Sequence, residues 1–246
     1  SDVAYHMDKL DRTKGPLINI FGADHSGYVK RMKAAVAALS GQKDMLDIRL
    51  CQLVNLMENG KPVKMSKRAG TFVTVRDVID AVGADVIRFI MLTRRSDQTL
   101  DFDYAKVTEQ SRDNPVFYVQ YAHARACSVL RQPGINGEDV TGAGDAALDR
   151  LTSPAEMAVI KALASWPRLV VSAAQSHEPH RVAFYLMDLA ASFHALWTAG
   201  REAPELRFIR DDDAGLTAAR LCLVKATALV IRSGLGVLSI QAREEM

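Results

Sequence analysis

Two patterns of hydrophobic spacing run along this chain, and one gives way to the other near residue 105. In the first stretch, Leu17-Ile18-Asn19-Ile20-Phe21 is a short β-prone apolar run ending in the polar turn Gly22-Ala23-Asp24-His25-Ser26-Gly27. Tyr28 to Leu39 reads as a helix, with Gly41 near its end. Strand, turn and helix in this order form an α/β unit, and ligands in such sheets gather at the carboxyl ends of strands. A second strand is expected from Ile48 to Met57, closed by Asn59-Gly60, a strong hairpin cue between apolar runs. Thr74-Val75-Arg76-Asp77 has capping-box spacing and opens a short helix that Gly83 stops. Asp85 is placed to cap a further helix through Met91. From there to Tyr104 the chain is polar and irregular apart from Leu100 and Phe102.

Beyond residue 105 the spacing is helical throughout. Asn114-Pro115 supplies an N-cap with proline at the first helical position. Val119, Ala122, Ala126 and Val129 follow as a stripe. Residues 132–145 are rich in glycine and form a loop. Ser153-Pro154-Ala155-Glu156 is a second capping box, and Pro167 is expected to kink or end the helix that it opens. His180 to Thr198 sets Val182, Leu186, Leu189, Phe193 and Leu196 on one side, with Gly200 as the stop. Asp213 is positioned to cap a last long helix that breaks near Gly234. The pattern predicts an α/β domain over 1–105 and an all-α helical bundle over 106–246.

Composition adds limits. Hydrophobic residues make up 48% and charged residues 24%, as in soluble globular chains. No continuous apolar run reaches the roughly 20 residues of a membrane span, and the start shows no signal pattern. No membrane partner is expected. Three widely spaced cysteines (Cys51, Cys127, Cys222) lack metal-ligand spacing, and a reducing, cytoplasmic setting is expected. A net charge of +2 does not announce a polynucleotide binder, so any such contact must come from local patches.

The densest candidate chemistry is Val63-Lys64-Met65-Ser66-Lys67-Arg68-Ala69-Gly70. Two lysines flank a small hydroxyl residue, between a hairpin and a capped helix. Such a loop suits a polyanion that is gripped and then released, such as the triphosphate of a nucleotide. When an adenylate forms from ATP, negative charge builds on the departing pyrophosphate, and mobile ammonium groups meet it in the transition state. Two lysines alone would equally describe a solvated basic turn. On the next helix, Tyr118, Tyr121 and Arg125 share a face, with Gln120 beside them. Aromatic rings near a guanidinium and an amide suit unpaired bases, and they also suit the edge of a core. Trp197 reads as core, and the remaining histidines as structural or exposed.

The run VKMSKRAGTFVT from Val63 to Thr74 resembles the KMSKS loop of class I aminoacyl-tRNA synthetases. Together with DNPVFYVQYAHAR from Asp113 to Arg125 and GADHSGYVKRMKAAVAAL from Gly22 to Leu39, it resembles arginyl-tRNA synthetase in particular. Arg68, where other class I enzymes usually have serine, points the same way, as does the closing IRSGLGVLSIQAREEM. The resemblance covers essentially the whole chain. It implies the later half of a Rossmann-type catalytic domain with stem-contact helices, then a helical anticodon-binding domain of the DALR type. The implied reaction is ATP-dependent attachment of arginine to its tRNA, with Mg2+ accompanying ATP and no tightly bound cofactor. Lys64, Ser66 and Lys67 would be catalytic. Gly22, Asp24, His25 and Met65 would bind ATP, and Asp2 and His25 the arginine. Tyr118, Gln120, Tyr121, Arg125 and Met246 would contact the tRNA.

The HIGH signature of class I enzymes is absent from these 246 residues. The chain is therefore expected to be a fragment that forms no arginyl-adenylate alone. Its incomplete sheet is expected to leave an edge that self-associates, whereas the full enzyme is expected to be monomeric. Two other readings stay open: a stand-alone tRNA-binding module, and another class I synthetase such as the cysteinyl enzyme.

Overall fold

The computed structural model of the chain describes residues 1–63, 73–103, 107, 114–132, 135 and 147–246. Lys64, Met65, Ser66, Lys67 and Arg68 lie outside them. The chain divides into two compact units. One is Ser1–Lys64 with Arg94–Tyr104, and the other is Met65–Thr93 with Ala105–Met246. This partition differs from a single cut at 105, because the helices after the lysine-rich run belong to the second unit.

The first unit opens with helix α1 (Asp2–Thr13), which the spacing did not announce. Strand β1 (Leu17–Gly22), a 3-10 turn (Ala23–Tyr28), helix α2 (Val29–Ser40) and strand β2 (Leu46–Cys51) follow. β1 and β2 pair in parallel, so this segment is one βαβ unit. Gly41 ends α2 in the left-handed region, at φ 71°. The core here is Leu17, Met32, Val36, Leu46 and Ile48, with Leu10 and Phe21 packed against it. The alternation that buries Leu17 turns Ile18 and Ile20 to the other face, where Ile20 is 72% exposed.

The single strand expected from Ile48 to Met57 is two strands in two sheets. β2 ends at Cys51, and β3 (Val54–Glu58) lies between β4 (Lys61–Pro62) and β5 (Leu100–Asp103). The chain changes sheet at Gln52, whose amide donates to the Ser96 carbonyl at 2.8 Å. The Asn59-Gly60 turn forms as read, with φ of 51° and 76° at its two residues. Asp103 accepts from both of their amides, at 3.2 and 2.8 Å. The stretch read as irregular thus ends in a strand whose last residue clamps the hairpin.

Among its described residues the second unit contains α3 (Val75–Val82), α4 (Ala84–Leu92) and four longer helices. These are α5 (Pro115–Leu130), α6 (Pro154–Ser176), α7 (His180–Glu202) and α8 (Ala214–Val237). Both capping boxes form: Thr74 with Asp77, and Ser153 with Glu156. Asn114 and Asp213 cap α5 and α8. Asp85 sits inside the first turn of α4, where Gly83 takes the cap position. Val119, Ala122, Ala126 and Val129 meet Val182, Leu186, Leu189, Phe193 and Leu196 in the buried core.

Two glycines read as breaks lie inside helices instead, and Pro167, read as a kink or an end, lies inside a helix that does not end there. α6 continues through Pro167, α7 through Gly200 and α8 through Gly234. A Cβ on Gly234 would fall 2.6 Å from Leu186 Cδ2, and one on Gly200 would fall 3.0 Å from the Leu206 carbonyl oxygen. Both glycines mark close approaches rather than ends. By length and composition, α6, α7 and α8 reach what a bilayer span requires. Charged residues such as Lys161, Asp188 and Arg220 interrupt them, which is why no continuous apolar run shows in the sequence.

One turn before Pro167, the Ala162 carbonyl accepts from Tyr185 of α7 at 2.9 Å, and Tyr185 stacks on Trp166. Burial pushes the Tyr185 hydroxyl up to about 12. The folded value lies above the unfolded one, so this contribution is full below about pH 10 and is lost as pH rises through about 12. Tyr185→Phe is expected to cost about 1 kcal/mol at pH 8. It should also lessen the loss of stability between pH 10 and 12, which urea unfolding at the two ends of that range checks.

Candidate functional sites

In the first unit the candidate residues gather at the carboxyl end of β1. Gly22 is the last residue of the strand, and a Cβ there would lie 2.5 Å from the Asp24 carboxylate. Glycine therefore lets Asp24 fold back over the strand end. His25 Nε2 is 3.6 Å from Asp24 Oδ2, with both side chains largely in solvent. The His25 ring leans on Phe21 at 5.8 Å. Asp2, from the start of α1, joins the same turn by accepting a 2.6 Å bond from the Tyr28 hydroxyl. That bond holds the Tyr28 proton above its ordinary range. The structure thus brings Gly22, Asp24, His25 and Asp2 to one turn, leaving carboxylate and imidazole groups open to solvent.

A chain of bonds missed in the sequence steadies Asp2. His6 is buried, donates from Nδ1 to the Asp2 carbonyl at 2.8 Å, and accepts at Nε2 from the Asn19 amide at 2.7 Å. Lys9 donates to the other end of that amide at 3.1 Å. The signal available was Asn19, a polar residue at an inward position of an otherwise apolar strand.

In the second unit, Tyr118, Tyr121 and Arg125 share a face of α5, and α7 answers with His194 and Trp197. The His194 ring lies 4.6 Å from Tyr118 and 5.8 Å from Tyr121. Arg125 donates to His194 Nδ1 at 3.0 Å and to the Tyr121 hydroxyl at 3.1 Å. Its guanidinium stands 4.2 Å from the centre of the Tyr121 ring and 5.0 Å from that of Trp197. His194 Nε2 closes the set by donating to the Tyr118 carbonyl at 3.2 Å. Trp197, read as core, is only half-buried. The result is a pre-oriented, half-buried patch of Tyr118, Tyr121, Trp197 and Arg125, backed by the buried His194.

Gln120 does not belong to that surface. Adjacent residues on a helix point about 100° apart, and Gln120 faces inward with 0% exposure. Its amide donates to the Gln241 carbonyl at 2.9 Å, so it holds the chain terminus rather than a base. His123 and Arg131 follow on the same side, donating to the Arg243 and Glu244 carbonyls at 2.8 and 3.0 Å. Burial holds the His123 imidazole below its usual range and pushes the neighbouring Cys127 thiol up. Both therefore stay neutral. Met246 is exposed at the end of this docked tail.

Comparison with known proteins finds one family model and several relatives. The family model described as the DALR anticodon binding domain matches residues 119–246. Proteins named arginine–tRNA ligase from Rhodospirillum rubrum and Ruegeria pomeroyi are 58% and 59% identical over all of this chain. The chain spans 42% of the length of each. Among solved structures, one from Campylobacter jejuni named for an arginyl-tRNA synthetase aligns over 100% of this chain and 51% of its own, at 31% identity and TM-score 0.83. The Thermus thermophilus arginyl-tRNA synthetase aligns over 94% of this chain and 41% of its own, at 26% identity and TM-score 0.71.

Proposed function

We propose that this chain, which belongs to the DALR anticodon-binding domain family, is part of an arginine–tRNA ligase and binds the anticodon loop of arginine tRNA. The observation that carries the reading is the face of Tyr118, Tyr121, Arg125, His194 and Trp197. The half-buried rings of Tyr118, Tyr121 and Trp197 offer stacking surfaces over the buried His194, and the guanidinium is already anchored by two bonds. Little side-chain freedom is then lost when a base arrives. The names of the relatives support arginine as the amino acid.

The rest of the proposal concerns the longer protein. The βαβ unit would be part of a Rossmann-type catalytic domain. Asp24 would accept bonds from the ribose hydroxyls of ATP, with Gly22 allowing close approach. Asp2 would face the guanidinium of arginine, since a carboxylate suits that planar fork. His25 would lie towards the same substrate. Lys64 and Lys67 would meet charge on the departing pyrophosphate, with Ser66 and Met65 in the same loop. Mg2+ would arrive on the phosphates of ATP. Among the described residues, no cluster of three His, Cys, Asp or Glu side chains is placed to hold a metal. The uncovered side of β1, with Ile18 and Ile20, is where self-association of the isolated chain would occur.

Filter binding of the 246-residue chain to arginine and cysteine tRNA transcripts tests the reading. Preferential retention of arginine tRNA is the expected result. Equal retention of the two would overturn the arginine assignment, and retention of neither would overturn tRNA binding itself.

A further inference from the structure

A cavity of about 620 Å³ opens in the second unit where α5 and α7 end. Its lining includes Gln132, Trp197, Gly200, Arg201, Arg207 and Phe208. The volume falls in the range of about 300–1,000 Å³ typical of small-ligand pockets. We infer that this cavity is a nucleotide subsite that takes one unpaired nucleotide of the tRNA loop, its base against Trp197 and Phe208 and its phosphate against Arg201 and Arg207. The inference rests on the tRNA-binding reading above and adds a site beyond the Tyr118–Arg125 face.

The chemistry of the lining supports it. Trp197 packs on Phe208 at 5.9 Å and on Phe193 at 6.4 Å, and Phe208 stacks on Phe193 at 5.8 Å. These contacts hold Trp197 in place while part of it stays open to the cavity. Arg125 stands over the same indole, so the ring links the two surfaces. Arg201 and Arg207 are exposed, and neither guanidinium has a hydrogen bond or ion pair among the described residues. Two of the neighbouring acids are engaged elsewhere, while Glu205 and Asp211 are exposed. Asp212 pairs with Arg210, Asp213 pairs with Arg150, and the charge of Glu205 acts on Arg210. Glu202 is exposed on the same stretch.

The wall is also built before any ligand arrives. Gly200 lets the returning backbone at Leu206 and Arg207 approach α7 closely. Arg220 then ties the Glu205 and Arg207 carbonyls, each at 2.7 Å. Two uncommitted cations beside a fixed aromatic platform match a phosphate joined to a flat base.

Fluorescence anisotropy with labelled arginine tRNA, across a salt series, tests the site. The double variant Arg201→Ala/Arg207→Ala is expected to bind roughly tenfold more weakly. The slope of log affinity against log salt should flatten by about 0.7–0.9 per lost phosphate contact. Lysine at both positions should restore most of the slope, and Arg168→Ala, on the outer side of α6, should change neither quantity. Wild-type affinity and slope in the double variant would overturn the subsite while leaving the tRNA-binding reading intact. No binding by the parent chain would overturn both. Equal binding of arginine and cysteine tRNA would overturn only the arginine assignment, and the arginine variants would still decide the subsite. AMP competing in the micromolar range would instead assign the cavity to a free mononucleotide.

Discussion

Arg220→Ala is expected to destabilise the helical unit by about 3–5 kcal/mol, the range for breaking one side of a buried ion pair. Arg220 on α8 donates to Glu156 on α6 at 2.7 Å, and the two side chains are 4% and 2% exposed. Removing the guanidinium strands a carboxylate away from water. It also frees the Glu205 and Arg207 carbonyls, which no longer have their donor. Unfolding in urea at neutral pH measures the loss. A variant within about 1 kcal/mol of the parent would show that water enters and replaces the guanidinium. The same substitution should weaken tRNA binding, because Arg207 and Phe208 lose the tie that holds their backbone.

The double replacement Glu156→Leu/Arg220→Met separates the ion pair from its backbone partners. Apolar residues in place of a buried pair are often neutral or stabilising. Here they should not be, because each charged group also serves the main chain. Glu156 accepts from the Ser153 amide at 3.0 Å, and Arg220 serves two carbonyls. The double variant should therefore recover part, but not all, of the stability lost in Arg220→Ala.

What was legible in the sequence was local. Thr74 with Asp77 and Ser153 with Glu156 lie three residues apart, and such a cap closes on itself whatever surrounds it. The stripes through Val119 and Leu186 were legible because helical spacing alone decides which residues share a face. The errors were contacts across the fold. Gly200 and Gly234 carry the residue type of a helix stop, and only the nearness of Leu206 and Leu186 shows their use. Gln120 sits beside Tyr121 in sequence, yet a turn of 100° takes it to the chain terminus. Arg220 was silent, since its partners lie 64 and 15 residues away. Of the candidate catalytic groups, the turn from Gly22 to His25 was visible as a strand end. The docking of Asp2 onto Tyr28 spans 26 residues and left no local trace.

Ending the chain after Ile240 is expected to cost about 3 kcal/mol and to change the pH response of the helical unit. The six residues removed supply carbonyls to Gln120, His123 and Arg131. Each such bond contributes roughly 0.5–1.5 kcal/mol net, and the apolar surface uncovered on α5 adds to the loss. Leu238 and Ile240 remain, and Arg88 keeps its 2.6 Å bond to the Ser239 carbonyl, so the bundle should still fold. The imidazole of His123 gives the diagnostic. Burial depresses its folded value, so its contribution is present above about pH 6.5 and declines as pH falls through the folded value. Once the tail is gone, His123 meets water and the folded and unfolded values converge. The parent should therefore lose stability between pH 7 and 5 more steeply than the shortened chain, as urea midpoints across that range would show. Parallel curves would mean that His123 stays dry without the tail. Binding of arginine tRNA should weaken as well, since the tail backs the helix that presents Tyr118, Tyr121 and Arg125.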